Sequence, residues 1–524
     1  MKQHFFLIVL AFLFVGCNSI QRYNAHISES ISPEKLKKDV DLTQSRLRKM
    51  HPNLYYYITK DDLDRKFDSV RNSISCPMTS IEFYKKISPV IASVRQGHMF
   101  VYPPTRKYTK KETVMLAKKG IGPLSQFDFE FFDNRLYVVK NKSYDKSIKV
   151  GTEVVTLNSK SPQSLFDEYK NRFTSDGFNT TFKSNFFERR FSQFFTYESG
   201  IVDSILYNVK WNDSLKSIKI KRQIVDSTAL KQQLSKHTIT AAEKQKIQAD
   251  RLYLKRNKSL LGYDPTLKAY NRNLTFLEKD SSIAVMKIKA FSKGKYKRFY
   301  KQAFQRIQRN QSSTLIIDLR NNGGGRLAEI VELYKYLADS TFVFMEKSEV
   351  TSRSSLVNHY FRGGSLLSRA SRILTAPIAV PFIYILVHKD QDGKYYLNHN
   401  THPQKIKKTP FKGKVYVLIN GGSFSASSVL AANLKGDKRA VLVGQETGGA
   451  HNGTVAGQMP IIELPHSKIK IRIGLMNIIP RHKSETFGRG VFPDYEVIPT
   501  IEDRIKDVDP EMNWVLQDCK KETK

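Results

Sequence analysis

Thr314-Leu315-Ile316-Ile317-Asp318-Leu319-Arg320-Asn321-Asn322-Gly323-Gly324-Gly325 is an apolar, β-branched run that ends on charge and amide and then on three consecutive glycines. The stretch from Leu327 onward is helix-prone, so the reading is strand, glycine turn, helix. The same alternation recurs around residues 283–288, 415–419 and 440–443, each a short buried-type strand followed by a helical stretch. Short β-rich runs separated by helices predict an α/β core with a mostly buried sheet, and its expected extent is residues 276–505. Three glycines after a strand let backbone amides turn outward toward a ligand with no side chain in the way, as an oxyanion or anion site requires. A phosphate loop is disfavoured, because no GKS or GKT follows and the GxGxxG spacing is missing.

After the strand at 415–419 the chain reads Asn420-Gly421-Gly422-Ser423-Phe424-Ser425-Ala426-Ser427-Ser428 and enters an apolar helix. A serine on a tight strand-to-helix turn either caps the helix or exposes its hydroxyl beside free amides of the helix start. Residues 342–412, between the glycine turn and this one, exceed what a minimal core needs and are read as an insertion, a lid or groove wall. Upstream, apolar residues recur every three or four positions from Ser32 to Pro104, which predicts an N-terminal helical domain over 18–106 ending at Tyr102-Pro103-Pro104. Residues 107–225 turn β-rich, 226–275 read as a charged helical connector, and 506–524 as a C-terminal tail.

The chain has 524 residues, of which 40% are hydrophobic and 11% aromatic, enough for a sizeable core divided among several domains. Its formal charge of +37 admits a polyanion-binding role, but Lys and Arg lie in short scattered runs without interleaved aromatics, so no specific nucleic-acid partner is expected. The start, with Lys2, the apolar residues 5–15 and then Gly16-Cys17, describes an export signal too short to span a bilayer. Gly16-Cys17 resembles a bacterial lipobox, with Phe14 where leucine is usual. That predicts residues 1–17 as a lipoprotein signal segment, lipid attachment at Cys17, and a chain anchored to a bacterial envelope membrane facing the periplasm or cell surface. Cys76 and Cys519 are expected to be unpaired, and with no HExxH or CxxC and scattered histidines neither metal nor cofactor is expected.

Three phrases occurring in order, DLRNNGGG at 318–325, SFSASS at 423–428 and VGQETGG at 443–449, resemble the tail-specific (C-terminal-processing) and tricorn-core serine peptidases. The phrases at residues 50–55 (MHPNLY) and 173–177 (FTSDG) resemble lipoprotein members of that family, and residues 148–158 (IKVGTEVVTLN) resemble part of a PDZ module, which takes a peptide tail as an added strand. The resemblance implies an α/β multidomain chain: an N-terminal helical domain, a PDZ-like β-rich domain and a crotonase-like ββα catalytic core. It implies Ser425 as nucleophile, with an oxyanion hole from the amides of Ala426 and of Gly323 or Gly324. The tail-specific branch activates its serine with a lysine, but Ala450 stands at that position here, which points to the Ser-His branch. His98, in Val94-Arg95-Gln96-Gly97-His98-Met99, matches that branch's G-H phrase as general base, with His451 as the second choice, and Glu485, ahead of the closing phrase at 488–494, is the supporting acid. An unperturbed imidazole base predicts an acid limb of activity at about pH 6 to 7.5. The expected function is an envelope serine peptidase acting on peptides or unfolded proteins; the alternatives are an inert peptide-tail binder on the same fold and a basic envelope protein that binds polyanions.

Overall fold

The computed structural model describes residues 20–224, 241–277, 280–360, 366–398 and 401–522. The expected signal segment and Cys17 lie outside the described residues, as does most of the first third of the expected connector.

A six-stranded sheet organises the C-terminal half, in the order Tyr495–Glu496, Val441–Gly444, Lys414–Ile419, Thr314–Asp318, Asp280–Ile288, Arg272–Leu277. All neighbours are parallel except the last pair, which is antiparallel. Alternate side chains sort to opposite faces, as the two-residue period of a strand requires. Leu315, Ile317, Val417 and Ile419 join the main core, with Tyr300, Phe304, Ile330, Leu333, Leu430 and Leu434 from three helices. Ile316, Tyr416, Leu418 and Val443 point the other way. Their cover is the helix Pro510–Glu522, through Val515. The segment read as a tail is therefore a structural layer.

The expected connector also ends inside the sheet, because Arg272–Leu277 is its antiparallel edge. Arg272 is fully buried there and paired with the equally buried Glu329 at 2.5 Å, which lets a cation sit in a core strand.

Three successive helices of the N-terminal region, Pro33–Met50, Lys60–Asn72 and Ser80–Ala92, follow a helical stretch at 20–28, and the second and third of the three are capped by Thr59 and Thr79. The five-stranded antiparallel sheet that follows runs in chain order: Phe127–Phe132, Arg135–Asn141, Glu153–Leu157, Ser204–Trp211 and Ser214–Lys221. One hydrophobic cluster crosses the expected boundary at 106 and joins the helices, this sheet and residues Leu464 to Ile473 of the later chain. The segment expected to break at Tyr102-Pro103-Pro104 ends there on a strand, Phe100–Tyr102, which pairs antiparallel with Lys470–Arg472 before regular structure stops at Pro103. This pairing ties the N-terminal region to the half that carries the six-stranded sheet.

The insertion at 342–412 carries a small antiparallel sheet of Ser348–Val350, Tyr395–Leu397 and Val387–Lys389, and the 21-residue helix Leu366–Leu386. Cys76 and Cys519 are not disulfide-bonded.

Candidate active site

Because Thr314–Asp318 and Lys414–Ile419 are neighbouring parallel strands, in register at Asp318 and Leu418, the loops after them leave the same edge of the sheet side by side. Ligand sites in open α/β sheets form at that carboxyl edge. Arg320 fixes the first loop by pairing with Asp318 at 3.0 Å and with Asp509 at 2.7 Å. Asn322 then links the two turns: its carbonyl accepts the Phe424 amide at 3.0 Å and the Ser427 hydroxyl at 2.8 Å. Gly324 has φ +94°, and a Cβ there would lie 2.7 Å from the Ser425 Cβ, so only glycine lets the turns approach this closely.

Ser425 directly precedes the helix Ala426–Gly436 and has φ +58° and ψ −121°, a strained conformation for a residue with a side chain. Ser423, Ser427 and Ser428 donate their hydroxyls to backbone carbonyls of Leu319, Asn322 and Ser423. The Ser425 hydroxyl instead meets Nε2 of His98 at 2.9 Å, across 327 residues of sequence. The Gly324 amide is occupied by the Asn322 side chain at 2.9 Å. Among the described residues, the Ala426 and Gly323 amides show no acceptor, so both are open at the Ser425 turn.

His98 follows the third N-terminal helix and immediately precedes the strand Phe100–Tyr102. Its carbonyl accepts Arg472 Nε at 2.8 Å, and its ring packs on Phe424 with centroids 4.7 Å apart. Gly97 is required at this crowded point: a Cβ there would stand 2.7 Å from Phe424 and 3.0 Å from the Asp176 carboxylate.

Nδ1 of His98 lies 3.0 Å from the Thr454 hydroxyl, which in turn donates to Asp176 Oδ1 at 2.8 Å. A hydroxyl has one proton. With that proton given to Asp176, Thr454 can only accept from His98, which assigns the proton to Nδ1 and leaves the Nε2 lone pair facing Ser425. Asp176 also accepts the Gly97 amide at 2.7 Å and the Ala450 amide at 3.3 Å. Burial, with the Arg472 cation second, pushes His98 down to about 3. Burial raises Asp176 to about 6 against the opposing effect of its hydrogen bonds.

The structure thus brings Ser425, His98, Ala426 and Gly323 to one point and leaves Glu485 elsewhere. Glu485 is exposed on the 481–489 loop, with no hydrogen bond or ion pair to it among the described residues. The acid facing the histidine is Asp176, through Thr454. Spacing ahead of the closing phrase could not distinguish a loop acid from a buried one; the usable signal was the FTSDG phrase, whose Thr174, Ser175 and Asp176 are all buried. Thr454 gave no sequence signal. His451 shows no hydrogen bond to Ser425 among the described residues: burial pushes it to about 4, with Lys435 and His482 adding to the effect, and its Nε2 has no partner there.

Residues 282–497 match the profile of peptidase family S41. The tail-specific protease of Haemophilus influenzae is 30% identical over 175 residues, which is 33% of this chain and 18% of that protein's length. Mature CPAF has a similar fold at 12% identity, with a TM-score of 0.56 over 90% of this chain and 94% of that one. Mature CPAF complexed with lactacystin gives 0.57 at 12% identity over 93% and 97%. The mixed α/β multidomain architecture is shared with these structures.

Proposed function

We propose that this chain, a member of peptidase family S41 through residues 282–497, is a serine peptidase with Ser425 as nucleophile and His98 as general base. Ser425 Oγ attacks the peptide carbonyl while Nε2 takes its proton, and the same nitrogen returns the proton to the leaving amine. The imidazolium formed in between has its Nδ1 proton on Thr454, whose own proton lies on the Asp176 carboxylate. The negative oxygen of the tetrahedral intermediate is held by the Ala426 amide, at the start of a helix where donors are unpaired, and by the Gly323 amide of the glycine turn.

The observation that carries this reading is the 2.9 Å approach of His98 to the one serine of the turn whose hydroxyl is not bonded to a backbone carbonyl. Nucleophile and base act in one step, so Ser425→Ala, His98→Ala and the double variant are expected to share one residual rate, on the order of 10⁴ to 10⁶ below the parent in kcat. Near-parent turnover of folded Ser425→Ala would sink the peptidase reading. Near-parent turnover of His98→Ala would leave the nucleophile and discard the base.

The substrate in this proposal is an extended peptide or unfolded protein. The PDZ-like reading of 107–225 belongs to the proposal and is supported by the exposed edge strand Ser214–Lys221, which offers unpaired backbone groups to an added strand. Envelope location is proposed from the sequence at 1–17, with a lipid on Cys17. If Cys17→Ala leaves the membrane-bound fraction unchanged and no lipid mass is found on the mature chain, the anchor is wrong.

A further inference from the structure

The helix Thr181–Glu188 lies against the Ser425 turn. The Thr181 hydroxyl donates to the Glu446 carbonyl at 3.1 Å, Asn185 Nδ2 donates to Asn321 Oδ1 at 2.9 Å, and the Phe182 ring packs on Phe424 with centroids 4.6 Å apart. Five cationic side chains gather around this contact. Arg189 donates to the carbonyl of Asn321, two residues before Gly323, at 3.3 Å, and Arg472 donates to the His98 carbonyl. Arg190 packs over Phe186 at 4.0 Å, and Arg95, three residues before His98, packs over Phe178 at 4.3 Å. Lys183 follows Phe182 and is half-buried.

None of the five makes an ion pair among the described residues. Burial and then Arg95 push Lys183 below its ordinary pKa, and burial and then Arg189 do the same to Arg190. Like charges crowd one another here, and a bound anion would relieve them. The carboxyls of the region are already engaged. Asp176 is bonded to Gly97, Ala450 and Thr454, and Glu446 is paired with Arg489. Glu188, next to Arg189, is raised to about 8 by burial, with Glu130 second, so at pH 7 it is mostly neutral. A cleft lined by one sign of charge concentrates and selects ligands of the other sign. An extended peptide rises about 3.3 Å per residue, so side chains two or three residues from the bond cleaved stay within about a Debye length of it.

We infer that the active-site cleft selects acidic peptide segments, with Arg95, Lys183, Arg189, Arg190 and Arg472 receiving the glutamate or aspartate side chains that flank the bond cleaved. The inference rests on the peptidase reading for the place of that bond, and binding and turnover test the two separately.

The test reads affinity on full-length Ser425→Ala and turnover on the parent, both at physiological salt. Three labelled peptides with amidated ends share a central Ala-Ala and carry glutamates, glutamines or lysines on both sides of it. Fluorescence anisotropy is expected to show the glutamate peptide bound about tenfold or more tighter than the glutamine peptide, with the lysine peptide weakest. In the Ser425→Ala background, Lys183→Gln with Arg190→Gln should erase most of that preference, and Arg190→Gln alone, an exposed change, should lower it if the pair does not fold. Lys301→Gln with Arg309→Gln removes the same charge from the exposed face of the helix Tyr296–Arg309 and should leave the preference within about twofold. Equal affinity for the glutamate and glutamine peptides overturns the inference. So does an equal loss in the two double variants, because the net charge of +37 would then be the cause. A gain seen only when the glutamine peptide has a free C-terminus also overturns it, because the cations would then serve chain ends. Preferential binding that the Lys183 and Arg190 changes abolish, with no peptide cleaved by the parent, would support the cationic selection and count against the peptidase reading. Cleavage of the glutamate and glutamine peptides at equal kcat/KM would support the peptidase reading and overturn the selection.

Discussion

Ser425 accepts a strained backbone and a hydroxyl bonded to no carbonyl, whereas its three serine neighbours are tied to the fold, and that contrast supports the proposed nucleophile more sharply than its phrase alone. The same reasoning makes Thr454 a positioning residue, since its hydroxyl is the sole link from His98 Nδ1 to Asp176. Thr454→Val keeps the shape and deletes the link. The expected result is a loss of about 10²-fold in kcat with KM nearly unchanged, and recovery in Thr454→Ser; a purely structural threonine would show no recovery confined to kcat. Asp176→Asn should be worse, because one end of the amide would present a donor to the Gly97 or Ala450 N–H. The acid limb of kcat/KM follows from the same groups. A protonated His98 cannot accept the serine proton, and a protonated Asp176 cannot balance the imidazolium, so activity is lost as pH falls through either pKa. With His98 held down to about 3 and Asp176 at about 6, the limb is expected at or below about pH 6. That is lower than an unperturbed imidazole gives, and a measured limb above 7 would contradict the burial argument. Ser425 and His98 were legible because each sits in a distinctive phrase with glycine beside it. Asp176 and Thr454 were not, because their meaning arises from a contact 278 residues apart.

At the scale of elements, the core strands were legible because Thr314–Asp318 and Lys414–Ile419 are runs rich in Val, Ile and Leu that are buried on both faces almost throughout. Arg272–Leu277 was missed because it opens on an arginine, and nothing in the local sequence announces that Glu329 neutralises it inside the core. The helix Pro510–Glu522 was missed for a different reason: its apolar stripe, Met512, Val515, Leu516 and Cys519, is short and set among charged residues, and only the uncovered sheet face explains its use. That cover has a testable consequence. Val515 is fully buried between the helix and the sheet, so Val515→Asp places an unpaired carboxylate in an apolar layer and should cost about 3 kcal/mol or more in urea unfolding. Asp509 and Glu511, at the start of the same helix, hold Arg320 and thus the glycine turn. The variant should therefore lose activity at lower urea than the parent, in step with unfolding. A stability change within about 0.5 kcal/mol would mean that this helix is not part of the cooperative fold.

For the whole molecule, proton linkage makes stability depend on pH in both directions. His51, at the end of the first N-terminal helix, is buried with neither ring nitrogen partnered among the described residues, and burial lowers it to about 3. His98 and His451 are lowered to about 3 and about 4. In each case the unfolded chain takes up a proton below about 6.5 that the native state refuses, so stability falls as pH drops from about 6.5. Asp176, raised to about 6, and Glu188, raised to about 8 by burial and the neighbouring Glu130, act in the opposite sense. They hold protons in the native state that the unfolded chain has released, and their stabilisation is lost as pH rises toward those values. Between about 4.5 and 6 the three histidines oppose Asp176 and Glu188, and Glu329 and Glu511, also raised by burial, add to the carboxyl side. The native state therefore loses at most about 1.4 kcal/mol per pH unit on acidification. Above 6.5 Glu188 is still titrating, and it lowers stability up to about 8. Thermal unfolding is therefore expected to show a maximum at or below about pH 6.5, with decline on both sides. His51→Leu removes one of the three acid-sensitive groups without touching Ser425 or His98, so between about 4.5 and 6 it should lose less stability on acidification than the parent, while the decline toward 8 stays in place. Should the variant keep the parent's acid slope, His51 is not neutral in the native state, and a partner for its ring must exist that the fold as described does not provide.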